Sequence, residues 1–227
     1  MSKRVFIRVI VEGPTEEKFI KDIVAPFLMI KNIDIMPTIL TKKGQKGGDV
    51  KFERVKRDVM RFLWQSNVTL VTDFLDFYGL KEWPDKDTIP QNSSPRKIAD
   101  ILNQAARREL EKEKNADKLK INQRFLPFMM VHEFEALLFS DVQTLADEIG
   151  VSEAEVRQVL EECGSPEQIN NSPQTAPSKR LEEWKPDFSK TADGIAIVHK
   201  IGLDIIRHKC PLFNDWLLAL ERLQTEE

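Results

Sequence analysis

Residues 5–19 read VFIRVIVEGPTEEKF, and the fold turns on how that stretch divides. VFIRVIV (5–11) is nearly continuous in β-branched residues, the pattern of a strand covered on both faces, as in a parallel sheet. Gly13 and Pro14 stop it. From Pro14 onward Phe19, Ile23, Phe27 and Ile30 recur at helical spacing, while Pro14, Glu16 and Glu17 suit a first helical turn, where the macrodipole favours negative charge. A strand-turn-helix unit results, with Pro26 expected to kink or divide the helix. Glu12 stands at the turn, where an unpaired carboxylate ending a buried strand is costly. It finds a partner, turns into water, or holds something positively charged.

The same punctuation recurs downstream. IDIMPTIL (33–40) reads as a second strand, TKKGQKGGD (41–49) as an exposed loop, and Phe52, Val55, Val59 and Phe62 as one face of an amphipathic helix. NVTLVTDF (67–74) is expected as the third strand, and residues 76–95 as a long surface loop. A charged helix runs from Ile98 through the sequence RRELEKEKNADK, and RFLPFMMV (124–131) makes the fourth strand. Strand and helix alternate four times, which predicts an α/β domain over 1–140: a parallel, doubly wound sheet of about four strands flanked by helices. Residues 141–227 read as a helical C-terminal extension packed on it. A capping box at Ser152 and Glu155, a polar loop at 164–179, and helical patterns at 178–184, 194–208 and 212–223 mark that extension.

A chain of 227 residues suffices for one sizeable core with an appendage. No segment approaches the roughly 20 apolar residues a membrane helix needs, and the apolar N-terminal run is interrupted by Arg8, so it reads as a strand rather than a signal peptide. Two cysteines, Cys163 and Cys210, are too few for a disulfide framework, which fits a reducing cytoplasm. Net charge is −3, yet residues 42–61 are locally basic, with Lys43, Lys46, Lys51 and Arg54 among them, and 141–162 are acidic.

In open parallel sheets the carboxyl ends of the strands form the ligand crevice. Glu12 follows the first strand, Asp73 and Asp76 the third, Glu133 and Glu135 the fourth. Carboxylates brought together there repel by ~4 kcal/mol per pair at about 4 Å and an effective dielectric near 20, so they need protons, basic partners or a cation. Hard oxygen ligands of this kind suit Mg²⁺ or Mn²⁺. The competing account places the same acids in solvated loops or at helix N-termini, Glu133 above all. GQKGGD lacks the phosphate-loop pattern, no nucleophile elbow is present, and His132 stands alone at a strand end.

With those residues in place, the chain resembles the Toprim superfamily, the metal-binding fold of topoisomerases, primases and related nucleases. Val11-Glu12-Gly13-Pro14-Thr15-Glu16 is similar to that fold's glutamate-glycine turn. VEGPTEEKF, DFLDFYGL, HEFEALLFSD, Ser178-Lys179-Arg180, the K-x-x-D-G at Lys190 and CPLFNDWL are similar to standalone bacterial Toprim proteins, often encoded beside ABC-type ATPases in defence loci. The resemblance implies a metal-dependent nuclease acting on DNA or RNA, with Glu12 and Asp76 catalytic and Glu12, Asp73, Asp76, Glu133 and Glu135 around the metal. Lys43, Lys46, Lys51, Arg54, Tyr78, Lys179, Arg180 and Lys190 are then the residues expected to meet nucleic acid. The alternative is a non-cleaving subunit that keeps the Toprim shape and binds an ATPase partner. One departure stands out: the Toprim pattern has aspartates two apart, whereas Asp73 and Asp76 are three apart and face opposite sides of an extended strand.

Overall fold

The computed structural model describes residues 4–42, 45–46, 50–131, 133–169 and 175–224. The chain forms two compact units, Met1–Met129 with Ala219–Glu227, and Met130–Leu218. The end of the last helix belongs to the first unit, where Glu221 pairs with Lys31 at 3.2 Å.

In the first unit β1 (Val5–Val11) runs parallel to β2 (Ile33–Ile39) on one side and to β6 (Leu70–Asp76) on the other. Between them come the two-residue strands β3 (Thr41–Lys42), β4 (Gln45–Lys46) and β5 (Val50–Lys51); β3 and β4 pair antiparallel, and β5 leads into the helix α3 (Phe52–Leu63). The expected helix after β1 is present but interrupted: α1 (Pro14–Phe19) passes through a π-helical stretch, Ile20–Val24, into α2 (Ala25–Met29). Pro26 lacks an N–H and its ring crowds the carbonyl four residues back, and the wider turn ahead of it takes up both defects. Pro37 is tolerated because β2 is an edge strand. The bonds Val5 N–H to Asn32 and Leu40 N–H to Val11 set the ladder so that the nitrogen of Pro37 faces away from β1.

Expectations change beyond this point. The third strand begins at Leu70, because Val68 N–H bonds back to Gln65 in a turn, and it runs on to Asp76. Residues 76–95 are not only surface loop: a 3₁₀ turn, Phe77–Gly79, leads into β7 (Leu80–Lys81), parallel to β5, with Leu80 and Trp83 buried. Trp83 packs edge-on against Phe52 at 5.1 Å and donates to the Leu102 carbonyl. The charged helix α4 (Pro95–Glu111) stops early, since Asn115 and Lys120 are left-handed and divide the rest into α5 (Ala116–Leu119) and α6 (Ile121–Arg124).

The fourth strand is split by Pro127 into β8 (Phe125–Leu126), parallel to β6, and β9 (Met129–Met130), where the first unit ends; β9 also pairs with β6. The sheet thus has five strands, in the order β2-β1-β6-β8 with β9 on β6. Arg124 fastens its far end, donating to the carbonyls of Leu63, Val68, Thr69 and Leu119 at 2.7–3.4 Å.

The second unit is helical. A wholly buried 3₁₀ segment, Phe134–Ser140, is followed by α7 (Val142–Ile149) and α8 (Glu153–Cys163), the latter with the expected Ser152–Glu155 capping box. Then come α9 (Pro177–Trp184), α10 (Ile195–Ile201), α11 (Leu203–Lys209) and α12 (Pro211–Arg222). Glu167 receives the Leu212 and Phe213 N–H groups at the start of α12, a cap placed by tertiary structure. Both cysteines are free, and burial pushes the Cys210 thiol up to about 12 against the lowering effect of its hydrogen bond with Ser140. Among the described residues no helix is long and apolar enough to cross a membrane.

Candidate functional site at the carboxyl edge of the sheet

Strand order decides where the sheet opens. From β1 the chain moves outward to β2, then crosses back over β1 to lay down β6, so the direction of winding reverses between β1 and β6. With connections of one hand, helices before and after that point lie on opposite faces and leave a crevice at the strands' carboxyl ends. Val11 pairs with Phe74 as the last registered pair there. Glu12 lies one residue beyond it on β1, and Asp76 two residues beyond on β6.

Glu12 is half-buried, and its carboxylate lies against a residue the strand-end pattern did not single out, Gly79. A Cβ on Gly79 would lie 2.5 Å from Glu12 Oε2, 2.9 Å from Oε1 and 3.0 Å from Cδ. The carboxylate lies directly over the Gly79 α-carbon, and only glycine leaves it that space. Gly79 closes the 3₁₀ turn that follows Asp76, so the two strand ends meet through this contact. On its other side Glu12 adjoins Gly13, whose N–H donates to Glu16 Oε2 at 2.9 Å. Glu16, only 9 % exposed, thereby secures the turn as a helix-start carboxylate. The signal for Gly79 was present in DFYGL, a glycine soon after the strand-end acid, but nothing in the linear spacing couples it to Glu12, 67 positions earlier.

Asp73 and Asp76 separate as their spacing requires, because β6 stays extended through both. Asp73 pairs in register with Ile10 and is completely buried. Its Oδ1 accepts the Phe128 N–H at 2.6 Å, and its Oδ2 meets no hydrogen-bond partner among the described residues. Burial raises its pKa to about 7 against the lowering effect of the backbone hydrogen bonds. The bond also accounts for the broken fourth strand: Pro127 has no N–H, and the donor that follows it goes to Asp73 instead of a ladder. Asp73 is thus a core group of the sheet, and Asp76, half-buried, is the aspartate at its edge.

Around this edge Tyr78 is 43 % exposed, its ring 5.0 Å from Phe77. Lys51 ends β5 and pairs with Glu82, while Arg54 is half-buried in the first turn of α3. Lys43 falls outside the described residues, as does His132, and Lys46 is described only as backbone of β4.

Glu133 and Glu135 belong to the second unit. Glu133 Oε2 accepts the Ser178 N–H at 3.0 Å, a helix-start role at α9. Glu135 is 2 % exposed and ion-paired with Lys190 at 2.7 Å; burial raises its pKa, and Lys190 works against that rise. Lys179 pairs with Glu182 on the exposed face of α9, and Arg180 donates to the Thr175 carbonyl. Among the described residues no three His, Cys, Asp or Glu side chains form a group placed to hold a metal ion.

A family model described as a domain of unknown function, DUF4276, matches residues 11–221. No curated protein and no solved structure matches the chain.

Proposed function

We propose that this chain, which belongs to the DUF4276 family, is a divalent-cation-dependent phosphodiesterase acting on nucleic acid, with its working edge at Glu12 and Asp76. The observation that carries this reading is the placement of the Glu12 carboxylate over Gly79, beside the reversal point of a parallel sheet whose next strand ends in Asp76. An all-oxygen edge supplied by two strand-end carboxylates fits Mg²⁺ or Mn²⁺, since Mg²⁺ is held through one or two carboxylates together with substrate phosphates. Glu12 and Asp76 would hold it. The ion, when bound, supplies an acidified water and offsets charge on the attacked phosphate. Glu12 rests over Gly79, and Asp76 ends the neighbouring strand. Asp73 works from the core, and Glu133 and Glu135 serve Ser178 and Lys190 in their own unit.

The test is purified protein with Mg²⁺ or Mn²⁺ on plasmid, single-stranded DNA, RNA and tRNA. Cleavage that Glu12→Gln abolishes supports the reading; cleavage that persists in that variant removes the assigned site. A second reading, a non-cleaving Toprim-shaped subunit bound to an ABC-type ATPase, is favoured by the ion pair that engages Glu135 and by the burial of Asp73. It predicts no cleavage on any of these substrates and stable association with such an ATPase.

A further inference from the structure

The short parallel ribbon β5–β7 brings together two lysines that lie 30 residues apart, Lys51 and Lys81, at registered positions. Side chains at registered positions of parallel strands share a face. Val50 and Leu80, the other pair, are buried, which turns both lysines toward solvent about 5 Å apart at the backbone. The pairing gathers two positive charges on one face of the ribbon, where they raise the local concentration of anions. The ribbon is also fixed: Trp83 bonds to the Leu102 carbonyl, and Lys86 donates to the Leu80 carbonyl at 2.6 Å while lying over the Phe77 ring. Lys86 therefore serves the ribbon's backbone. Two positions before Lys81 stands Gly79, against which the Glu12 carboxylate rests.

The geometry points to the Lys51–Lys81 ribbon as a phosphate-holding element for the nucleic-acid backbone beside the Glu12 edge, with Lys81 a binding residue that the charge pattern of the sequence did not single out. The inference rests on the phosphodiester reading of that edge. Glu82, which now pairs with Lys51, is highly exposed, and exposed pairs are weak, so a phosphate can replace it. Phosphate contacts of this kind position the strand without reading its bases.

The experiment is fluorescence anisotropy with labelled 15-nucleotide DNA and RNA single strands, in EDTA, across about 50–300 mM KCl. Lys51→Gln and Lys81→Gln are each expected to weaken binding about tenfold at the low-salt end and to reduce the salt slope by about 0.7. Glu82→Gln should tighten binding. Lys112→Gln, which removes an exposed lysine paired with Glu109, is the charge-matched control and should bind as wild type. The inference is overturned if neither strand binds, if both lysine variants keep wild-type affinity and slope, or if the control loses as much as they do. Lysine-dependent binding without Mg²⁺- or Mn²⁺-dependent cleavage would support the phosphate site and sink the hydrolase reading alone. Cleavage by a protein whose binding ignores both lysines would do the reverse.

Discussion

Replacing Asp73 by asparagine gives a change in pH dependence that can be worked out in advance. In the folded chain Asp73 is completely buried and its pKa rises from 3.8 to about 7, desolvation being the dominant cause. Between those values the native state keeps a proton that the unfolded chain has released. Stability from this group is therefore fully present below about pH 4, falls as pH rises toward 7, and is gone above the folded value. The difference of about 3 pH units, at about 1.36 kcal/mol each, amounts to about 4 kcal/mol. An asparagine can still accept the Phe128 N–H through Oδ1, while its amide nitrogen enters the place where Oδ2 has no partner among the described residues. That second feature costs about 1–3 kcal/mol at every pH, so the informative quantity is the slope rather than the offset. Urea unfolding of both proteins at several pH values from 4 to 8.5 should show Asp73→Asn gaining most of about 4 kcal/mol relative to wild type across the range. Stability curves that stay parallel would show that Asp73 ionises in the fold as it does in water, and the core role assigned to it would fail.

Gly79→Ala puts a methyl group 2.5 Å from Glu12 Oε2, so the carboxylate must move; Mn²⁺-dependent cleavage is expected to fall about a hundredfold, with thermal melting reporting whether the fold survives. Arg124→Met removes a cation that binds four carbonyls around the far end of the sheet and should cost about 3 kcal/mol in urea unfolding; a loss under about 0.5 kcal/mol would contradict that role. Lys190→Met strands the buried Glu135 carboxylate, whose pKa burial already raises, so the variant should lose stability as pH rises through the carboxylate range. Glu135→Gln added to Lys190→Met should restore most of that loss, and a double variant as weak as the single one would show that the ion pair matters little.

Local chemistry was enough to specify much of the frame. The β-branched run 5–11, the Gly13-Pro14 stop, the helix from Phe52 to Leu63 and the Ser152–Glu155 box are all found where their own propensities put them, because each depends on neighbours within a turn or a strand. From those pieces alone the α/β class and the helical C-terminal region followed. Strand-end acids were legible as single positions for the same reason: a carboxylate after an apolar run is a local event.

What each acid meets is not local, and there tertiary structure decided. Glu12 and Gly79, Asp73 and Phe128, Glu135 and Lys190, and Lys51 and Lys81 are joined across 30 to 67 positions by strand order and register, which spacing along the chain does not encode. Burial then separated acids that look alike in the sequence, placing Asp73 in the core and leaving Asp76 at the edge of the sheet. Composition gives a side chain its charge, but desolvation and neighbouring dipoles set whether that charge stays, moves its pKa or finds a counterion, and both depend on the folded surroundings.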